Sequence, residues 1–282
     1  MENIKSFYKK YYLNFNKMRN FLKFILFFII SLSKKNRFVI LNPNLTFLRF
    51  NKAYVFDKKS RSVSCYIIRN QYDYITLQEL FYYECYKIDD LNIFNKGTKN
   101  NLKKNLLIID CGSNIGCSTN YFLDNFKEAH VVSIEPDENN FNLLSKNVNN
   151  DRALLLNNAV SSENVSYKIL NSIDNRAISI IKDRKENIKK AVTINQILED
   201  PKYKNFEPFL IKIDIEGHES TLFEGNLEWF QKFKIVIIEI HDWMLPGKSI
   251  SKNYFTTLAK SMQIDDRDII IRGENLICFK NK

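Results

Sequence analysis

Two short stretches in the second half of the chain combine histidines with carboxylates, which are side chains that can move a proton or hold a cation. The first, "IDIEGHE", contains Asp214 and His218, and the second, "IEIHD", contains Glu239 and His241. A neutral imidazole or a carboxylate can take the proton of a hydroxyl group. Carboxylates beside a histidine orient its ring and raise its basicity. These stretches therefore predict a site that activates a hydroxyl.

Two mechanisms fit these residues. We favour His241 as the general base, with Asp214 or His218 as the next candidates. Alternatively, Asp214, Glu239 and His241 hold a divalent cation such as Mg²⁺, which would polarise the hydroxyl. The third histidine, His130, stands at the start of an apolar segment and is interpreted as structural.

A glycine turn precedes these stretches in "LLIIDCGSNIGCSTNYF", residues 106–122. Leu106–Ile109 form a buried strand by pattern, and residues 115–126 carry apolar side chains at helical spacing. Gly112 and Gly116 imply a sharp turn that comes close to something a Cβ would block, and a bound ligand is the expected reason. A strand, a glycine turn and a helix together cradle nucleotides, because the first N–H groups of the helix point into the turn.

The residues of the turn distinguish between two nucleotide ligands. A dinucleotide site requires G-x-G-x-x-G, but here Asn114 stands near the position of the middle glycine. Asparagine tolerates a positive φ, so the turn can persist. Asp110 at the mouth of the loop would repel a pyrophosphate and suits a ligand that carries an ammonium and a sulfonium. The turn therefore predicts S-adenosylmethionine.

A second acidic residue supports a nucleotide ligand. In "HVVSIEPDENNFNLLSKNVNN" the apolar strand Val131–Ile134 ends at Glu135, 25 residues after Asp110. In nucleotide-binding α/β units, an acidic residue about 20 residues after the first strand and its turn binds the ribose hydroxyls. Pro136 then fixes φ at the start of a helix.

With these motifs the chain resembles the FkbM-type S-adenosylmethionine-dependent methyltransferases. The matching stretches follow the family's order from about residue 105 to 243: "IIDCGSNIG", "VSIEPDENNFNLLSKNVNN", "LNNAVS", "FLIKIDIEGHESTLFEGN" and "IVIIEIHDW". The stretch "KIDIEGHE" is specific to the family. Upstream, "IRNQYDYITLQELFYYECY" resembles the family's usual lead-in segment.

The resemblance implies an O-methyltransferase that acts on a hydroxyl of a sugar or a lipid-linked glycan. In the family, the ends of the fourth and fifth strands bring the acceptor to the methyl group, which maps here onto Asp214, Glu216, His218, Glu239 and His241. Ligands of such folds bind beyond the carboxyl ends of the strands. The expected cofactor site comprises Asp110, Cys111, Gly112, Ser113, Asn114, Gly116, Glu135, Pro136, Asn158, Ala159 and Asp214.

The elements that must position these residues alternate between strands and helices. The third, fourth and fifth strands are predicted at residues 154–160, 209–215 and 235–241, with a helix over 219–230 between the last two. This alternation predicts an α/β fold with a doubly wound, mostly parallel sheet. "SYKILNSIDNRAISII" is expected to form a hairpin. By resemblance the sheet has seven strands, as in the Rossmann-like class I methyltransferases, and ends in an antiparallel hairpin around Gly273.

Three regions are expected along the chain. They are a basic, partly apolar prefix (1–60), a lead-in strand and helix segment (61–104) and the methyltransferase domain (105–282). The apolar run 21–32 spans about 18 Å as a helix, less than the roughly 30 Å of a bilayer core. Flanking lysines and aromatic residues favour a helix on an anionic membrane surface through residues 1–37, or one that packs on the domain or a partner. A cleaved secretory signal is not expected.

Charge and cysteine content narrow the partners and the compartment. Residues 1–37 hold nine Lys and Arg against one Glu, and the rest of the chain holds 33 basic and 31 acidic residues. A nearly neutral catalytic region argues against a nucleic acid partner. Five cysteines without a paired pattern indicate a reducing compartment, so we expect the protein to lie in the cytoplasm. With the basic prefix, we expect it to lie peripherally on the inner face of a membrane. Cys111 and Cys117 are expected to pack around the turn.

Two other functions compete with this one. A nucleic acid methyltransferase that modifies amino groups would carry N/D-P-P-Y/F after the fourth strand, where "DIEGHE" stands. A non-catalytic cofactor-binding module would be expected to lose residues of the cofactor loop. In the loop "DWMLPGKS", Trp243 is either a stacking platform for a sugar or a packing residue.

Overall fold

A computed structural model of the chain describes residues 36–41, 51–89, 91, 105–170, 179–182, 190–244 and 246–281. The apolar run 21–32, expected at a membrane surface, lies outside the described residues. By internal contacts the chain divides into two compact units, Met1–Glu84 and Cys85–Lys282. Within the described part, no helix has the length and apolar character needed to span a membrane.

The first unit contains a three-stranded antiparallel sheet and a helix. Its strands are β1 (Phe38–Leu41), β2 (Lys52–Asp57) and β3 (Ser62–Ile67), in that order. Helix α1 (Gln71–Leu77) begins where the Asn70 side chain accepts hydrogen bonds from the N–H groups of Tyr72 and Asp73, and a wider turn over Gln78–Tyr82 follows it.

The second unit is built on a seven-stranded sheet. Its parallel strands are β4 (Leu106–Cys111), β5 (Ala129–Ile134), β6 (Ala153–Leu156), β9 (Glu207–Ile213) and β10 (Ile235–Glu239). Strands β11 (Arg267–Arg272) and β12 (Asn275–Lys280) complete the sheet as an antiparallel hairpin, giving the order β11-β12-β10-β9-β4-β5-β6. The predicted fold class, including the closing hairpin around Gly273, is confirmed.

Helices cover the sheet and explain why its central strands are mostly apolar. They are α2 (Cys117–Asn125), α3 (Glu138–Asn147), α4 (Ile194–Glu199), α5 (Glu219–Leu222), α6 (Glu228–Lys232) and α7 (Lys252–Met262). All six residues of β4 are buried, as expected for a parallel strand packed on both faces. Because the strand order changes direction at β4, a crevice opens at the carboxyl ends of β4 and its neighbours, where ligands of such sheets bind.

Several predicted elements differ in extent from the structure. The continuous helix expected over 219–230 is wrong: α5 and α6 are separate short helices, and between them Gly225 takes φ +72°, which a helix does not accommodate. The third strand ends at Leu156 rather than at residue 160, and Val160 forms an isolated bridge with Val192. The expected hairpin is present as β7 (Tyr167–Leu170) paired with β8 (Ser179–Lys182).

Candidate functional site

The glycine turn after β4 has left-handed backbone at three positions. Gly112, Asn114 and Gly116 take φ values of +81°, +47° and +90°, so the expectation for Asn114 is confirmed. A Cβ on Gly112 would lie 1.8 Å from the carbonyl oxygen of Asp214, and one on Gly116 would lie 2.6 Å from Cγ2 of Val148. The groups that exclude a Cβ are therefore parts of the protein itself, which corrects the expectation that a ligand does so.

Asp110 lies under the turn rather than at its mouth. Its side chain is fully buried, and its Oδ2 accepts hydrogen bonds from Ser118 Oγ at 2.6 Å and Thr119 Oγ1 at 2.7 Å. Both donors stand in the first turn of α2, so the carboxylate fixes the start of that helix beneath the loop. Its contact with a bound cofactor stays a prediction.

Glu135 faces the turn from the end of β5. Its Oε2 accepts the N–H of Asn114 at 2.8 Å, and its Oε1 accepts the N–H of Asp137 at 3.0 Å. Burial raises the pKa of Glu135 to about 7, although these hydrogen bonds oppose the shift. The carboxylate thus joins the glycine turn to the start of α3.

An open cleft of about 520 Å³ lies beside these residues. Eight of the predicted residues line the cleft: Gly112, Asn114, Glu135, Pro136, Asn158, Asp214, Glu216 and His218. Its other lining residues are Ile134, Asn140, Val160 and Ile215. Five residues of the expected cofactor site are not among them: Asp110, Cys111, Ser113, Gly116 and Ala159, all of which are buried.

The cleft suits a ligand with ribose and amino acid parts. Glu135 lines it as an acceptor whose oxygens retain further lone pairs for hydroxyl groups. The side-chain oxygen of Asn114 is buried without a hydrogen-bond partner among the described atoms, which leaves an acceptor for a ligand donor. A buried polar atom of this kind is costly unless something pairs with it.

A second group of side chains adjoins the cleft, and we call it the carboxylate cluster: Asp214, Glu216 and Glu239 around the ring of His241. The imidazole is only 1% exposed. Its Nε2 lies 3.8 Å from Asp214 Oδ1, 3.5 Å from Glu216 Oε2 and 3.4 Å from Glu239 Oε1. Asp214 and Glu216 also line the cleft, so the two sites are contiguous.

The strand register and a strained turn assemble the carboxylate cluster. Strands β9 and β10 are parallel neighbours, with Ile213 paired to Ile238, so the residues that follow each strand meet at one edge of the sheet. Glu216 and Gly217 take φ values of +55° and +89°, which turns the chain sharply toward α5. A left-handed glutamate is uncommon, and such strain concentrates at functional sites.

Glu219 holds the other side of the histidine ring. Its Oε1 lies 2.7 Å from Nδ1 of His241, and both residues are buried. The N–H of Gly217 also donates to Glu219 Oε1, at 3.3 Å. Sequence reasoning missed this role, although the last residue of "DIEGHE" was a signal for it. A carboxylate on Nδ1 directs Nε2 into the carboxylate cluster.

The concentration of negative charge shifts the titration of the carboxylate cluster. Burial, together with the charge of Asp214, raises the pKa of Glu216 to about 8 and that of Glu239 to about 7. Burial alone would lower the pKa of His241, but the hydrogen bonds of Glu219 and Glu239 raise it to about 11. Within the described residues, Asp214, Glu216 and His241 each offer one ligand atom, all within 4.8 Å of one another, as a metal site requires.

Lys212 connects the carboxylate cluster to the glycine turn. It is 2% exposed near the carboxyl end of β9, and its Nζ donates to the carbonyl oxygen of Gly112 at 2.7 Å. The same ammonium lies 3.1 Å from Asp214 Oδ2 and 3.6 Å from Asp110 Oδ1. Burial opposes its charge, but Asp214 and Asp110 raise the pKa of Lys212 well above its ordinary value. Sequence reasoning missed this residue, although a lysine inside the apolar run "FLIKI" needs a buried partner.

The remaining candidates have mixed outcomes. His218 directly precedes α5 and lines the cleft. Trp243 is 67% exposed, so its interpretation as a packing residue is wrong, and a stacking role stays a prediction. Cys111 and Cys117 are buried around the turn as expected. His130 packs edge-on against the ring of Phe206, with the ring centroids 4.8 Å apart, as its structural interpretation predicts.

Comparison with protein families gives a match that spans the cleft and the carboxylate cluster. Residues 110–264 match the methyltransferase FkbM domain. The chain belongs to the FkbM methyltransferase family. As a member it is an enzyme that transfers a methyl group from S-adenosylmethionine. The predicted family, enzyme class and methyl donor are confirmed, and the divalent cation stays a prediction.

Individual proteins resemble this FkbM methyltransferase to different degrees. The hexuronic acid methyltransferase AglP of Haloferax volcanii is 29% identical over 181 residues, covering 59% of this chain and 70% of that protein. The plantazolicin methyltransferase BpumL in complex with SAH has a TM-score of 0.37 at 11% identity, covering 75% of this chain and 88% of that one. Precorrin-6y C5,15-methyltransferase of Geobacter metallireducens has a TM-score of 0.31 at 7% identity, covering 68% and 92%.

Proposed function

We propose that this FkbM methyltransferase methylates a hydroxyl group of a sugar or a lipid-linked glycan. The observation that carries the proposal is the continuity of the two sites, because Asp214 and Glu216 belong to both the cleft and the carboxylate cluster. A hydroxyl held at the carboxylate cluster would thus face a methyl donor in the cleft. The similarity to a hexuronic acid methyltransferase supports a glycan acceptor.

The cleft residues divide the work of binding the cofactor. Glu135 would accept the ribose hydroxyls, and Asn114, Pro136 and Asn158 would line the nucleoside. Asp110 and the buried residues beside it would hold the turn in shape from below. When bound, S-adenosylmethionine supplies a methyl group on a sulfonium that leaves as a neutral thioether. Orientation of the acceptor by the protein then supplies much of the rate.

For activation of the hydroxyl we propose a divalent cation held by Asp214, Glu216 and His241. Four carboxyl groups crowd around two buried cationic side chains, and the raised pKa values of Glu216 and Glu239 reflect this crowding, which a bound cation would relieve. Carboxylate oxygens with one imidazole suit Mg²⁺ or Mn²⁺. Such an ion would polarise the acceptor hydroxyl. Lys212 contributes by holding Asp214 Oδ2, which leaves Oδ1 on the side of the histidine.

The alternative is that His241 acts as the general base without a metal. The geometry favours this less, because Nε2 lies within 3.8 Å of three carboxylates that favour the protonated ring. Without a cation such a ring keeps its proton and accepts none from a hydroxyl, whereas a cation bound at Nε2 would displace that proton. If the ring is protonated and no metal is bound, Glu216 and Glu239 are the next candidates for the general base.

The test combines an acceptor panel with metal control. Purified enzyme with S-adenosylmethionine is assayed on hexuronic acid glycosides, neutral sugars and lipid-linked sugars, with methylated products measured by mass spectrometry. We expect a chelator to abolish turnover and Mg²⁺ or Mn²⁺ to restore it. Glu216→Gln should raise the metal concentration needed for restoration, whereas the exposed control Glu224→Gln should not.

Two outcomes separate the alternatives. If the chelator has no effect and His241→Ala lowers turnover by roughly a hundredfold to ten-thousandfold with cofactor affinity unchanged, the ring is the base. If His241→Ala retains full activity in excess chelator, both mechanisms are excluded. Methyl transfer to none of the sugar acceptors, while calorimetry shows cofactor binding, would contradict the glycan acceptor.

We also propose that the enzyme works in the cytoplasm at an anionic membrane surface through residues 1–37. The support is the charge of that segment, nine basic residues against one acidic residue, around its apolar run. A lipid-linked acceptor would then be reached at the membrane on which the enzyme lies. Electrostatic attraction to anionic lipids acts together with apolar burial in such segments.

A further inference from the structure

The edge strand β11 exposes an apolar segment that the methyltransferase site does not use. It stands at one end of the seven-stranded sheet and, among the described residues, pairs only with β12. Its centre is three consecutive isoleucines, of which Ile271 is 72% exposed, Ile269 is exposed and Ile270 is half-buried. An edge of this kind is a template for pairing with another strand.

The placement of charge on β11 differs from that of a protected edge. Protected edges carry a charged side chain or a proline in the middle of the strand. In β11 the charges stand at the ends, with Arg267 and Asp268 before the isoleucines and Arg272 after them. Arg267 is buried and donates to the carbonyl oxygen of Phe233 at 3.2 Å, so it does not screen the edge.

We propose that two copies of this chain pair antiparallel through β11, with the two-fold axis at Ile270. In an antiparallel pair, successive residue pairs alternate between hydrogen-bonded and non-hydrogen-bonded types. A two-fold axis between two residues would make one pair of each type equivalent, which is impossible, so the axis must pass through a residue that faces its own copy. Only registers centred on single residues are therefore possible. Three of them centre on the isoleucines.

Charge complementarity selects one of these three registers. With the axis at Ile270, Asp268 faces Arg272 of the second copy, twice by symmetry, and Ile269 faces Ile271. The axis at Ile269 would place Asp268 opposite an isoleucine. The axis at Ile271 would place Arg272 opposite an isoleucine and Asp268 opposite the like charge of Glu274. Among the three registers, only the central one places Asp268 opposite Arg272 and also every isoleucine opposite another isoleucine. Ion pairs and apolar pairs of this kind stabilise a sheet across neighbouring strands.

The two faces of the paired strands are also consistent. Residues two apart share a face of a strand, so Asp268, Ile270 and Arg272 form one row with their symmetry mates. In that row an isoleucine pair is flanked by two ion pairs. On the opposite face, Ile269 and Ile271 of both copies form one apolar group. The pairing would join the two sheets into a continuous sheet of fourteen strands.

Sedimentation velocity of the full-length chain over a range of protein concentrations tests the proposal. We expect a concentration-dependent dimer in the wild type. Ile270→Lys places two lysines together on the axis and should give a monomer. The matched control is Ile264→Lys, because Ile264 is 74% exposed but lies outside β11.

A charge exchange tests the register itself. Asp268→Arg places like charges opposite each other at two positions, and so does Arg272→Asp. Each should raise the dimer dissociation constant roughly tenfold or more. The double variant Asp268→Arg/Arg272→Asp recreates both pairs and should restore dimerisation. Circular dichroism and cofactor affinity verify that each variant is folded.

Defined results would overturn the proposal. A wild type that sediments as a monomer at all concentrations contradicts it. So does a dimer that Ile270→Lys leaves intact, or a folded double variant no better than its single variants. The last result would place the contact elsewhere or in another register.

Discussion

Replacing Lys212 with methionine tests whether a buried ammonium joins the cofactor turn to the carboxylate cluster. Methionine is close to lysine in size and shape but carries no charge, so the change removes the ammonium with little loss of packing. The variant loses the donor to the Gly112 carbonyl at 2.7 Å and the partner of Asp214 at 3.1 Å. It also leaves Asp110, which is fully buried, without a nearby cation.

The size of the effect follows from that isolated carboxylate. Removing one partner of a buried ion pair costs about 3 to 5 kcal/mol, because the remaining charge is uncompensated. A domain of 150 to 250 residues loses roughly 2 to 4 °C of Tm for each kcal/mol. We therefore expect Lys212→Met to lower Tm by roughly 6 to 20 °C.

Thermal unfolding followed by circular dichroism measures this difference. Lys234→Met is the matched control, because Lys234 forms an ion pair with Glu207 at 2.7 Å but its side chain is 44% exposed. An exposed pair contributes about 0 to 1 kcal/mol, so the control should lose roughly 4 °C at most. Adding Asp110→Asn to Lys212→Met removes the stranded charge and should recover part of the loss. Equal losses in the two lysine variants would refute the reasoning.

Four further predictions concern other parts of the chain. Glu135→Ala should weaken S-adenosylmethionine binding by roughly tenfold to a hundredfold in calorimetry, because it removes a charged acceptor. Gly112→Ala should destabilise the fold far more than Gly247→Ala in thermal unfolding: both glycines have φ +81°, but only at Gly112 would a Cβ meet a neighbour, at 1.8 Å. Burial alone would raise the pKa of Asp57, but hydrogen bonds from its arginine partner lower it from 3.8 to about 2, so this group stabilises the fold above about pH 4, and that contribution disappears as the pH falls toward 2. Asp57→Asn should therefore show less loss of Tm over that interval than the wild type. A variant without residues 1–35 should retain cofactor affinity but no longer sediment with anionic vesicles.

Each of these four has a control and a contradicting result. For cofactor binding the control is Glu138→Ala, an exposed carboxylate in the first turn of α3, and equal affinities would contradict the role of Glu135. Equal losses at the two glycines would show that the close approach to Asp214 does not matter. An unchanged acid transition in Asp57→Asn would remove that carboxylate from the pH response. Vesicles of neutral lipid are the control for the prefix, and an unfolded shortened chain would show that the segment belongs to the core.

Local patterns were enough to predict most of the second unit. The apolar run at 106–109 and the glycines after it gave a strand and a left-handed turn, including the positive φ of Asn114. The continuous helix over 219–230 failed, because its apolar spacing continues through Gly225, where the backbone leaves the helical region. The position of Asp110 also differed, since a strand-end residue faces either the ligand or the layer beneath it according to the twist and packing of the turn.

The sequence by itself determined the order of elements, the family and the residues that meet at the carboxyl ends of the strands. These follow from short-range rules: side-chain periodicity, turn chemistry and the common edge that parallel strands share. The tertiary structure alone decided which of those side chains touch. Lys212 reaches Gly112 across 100 residues of sequence, and Glu219 binds His241 across 22. Such contacts depend on strand register and on the exact path of a turn, because a hydrogen bond forms only within a few tenths of an ångström, a precision that no periodic pattern encodes.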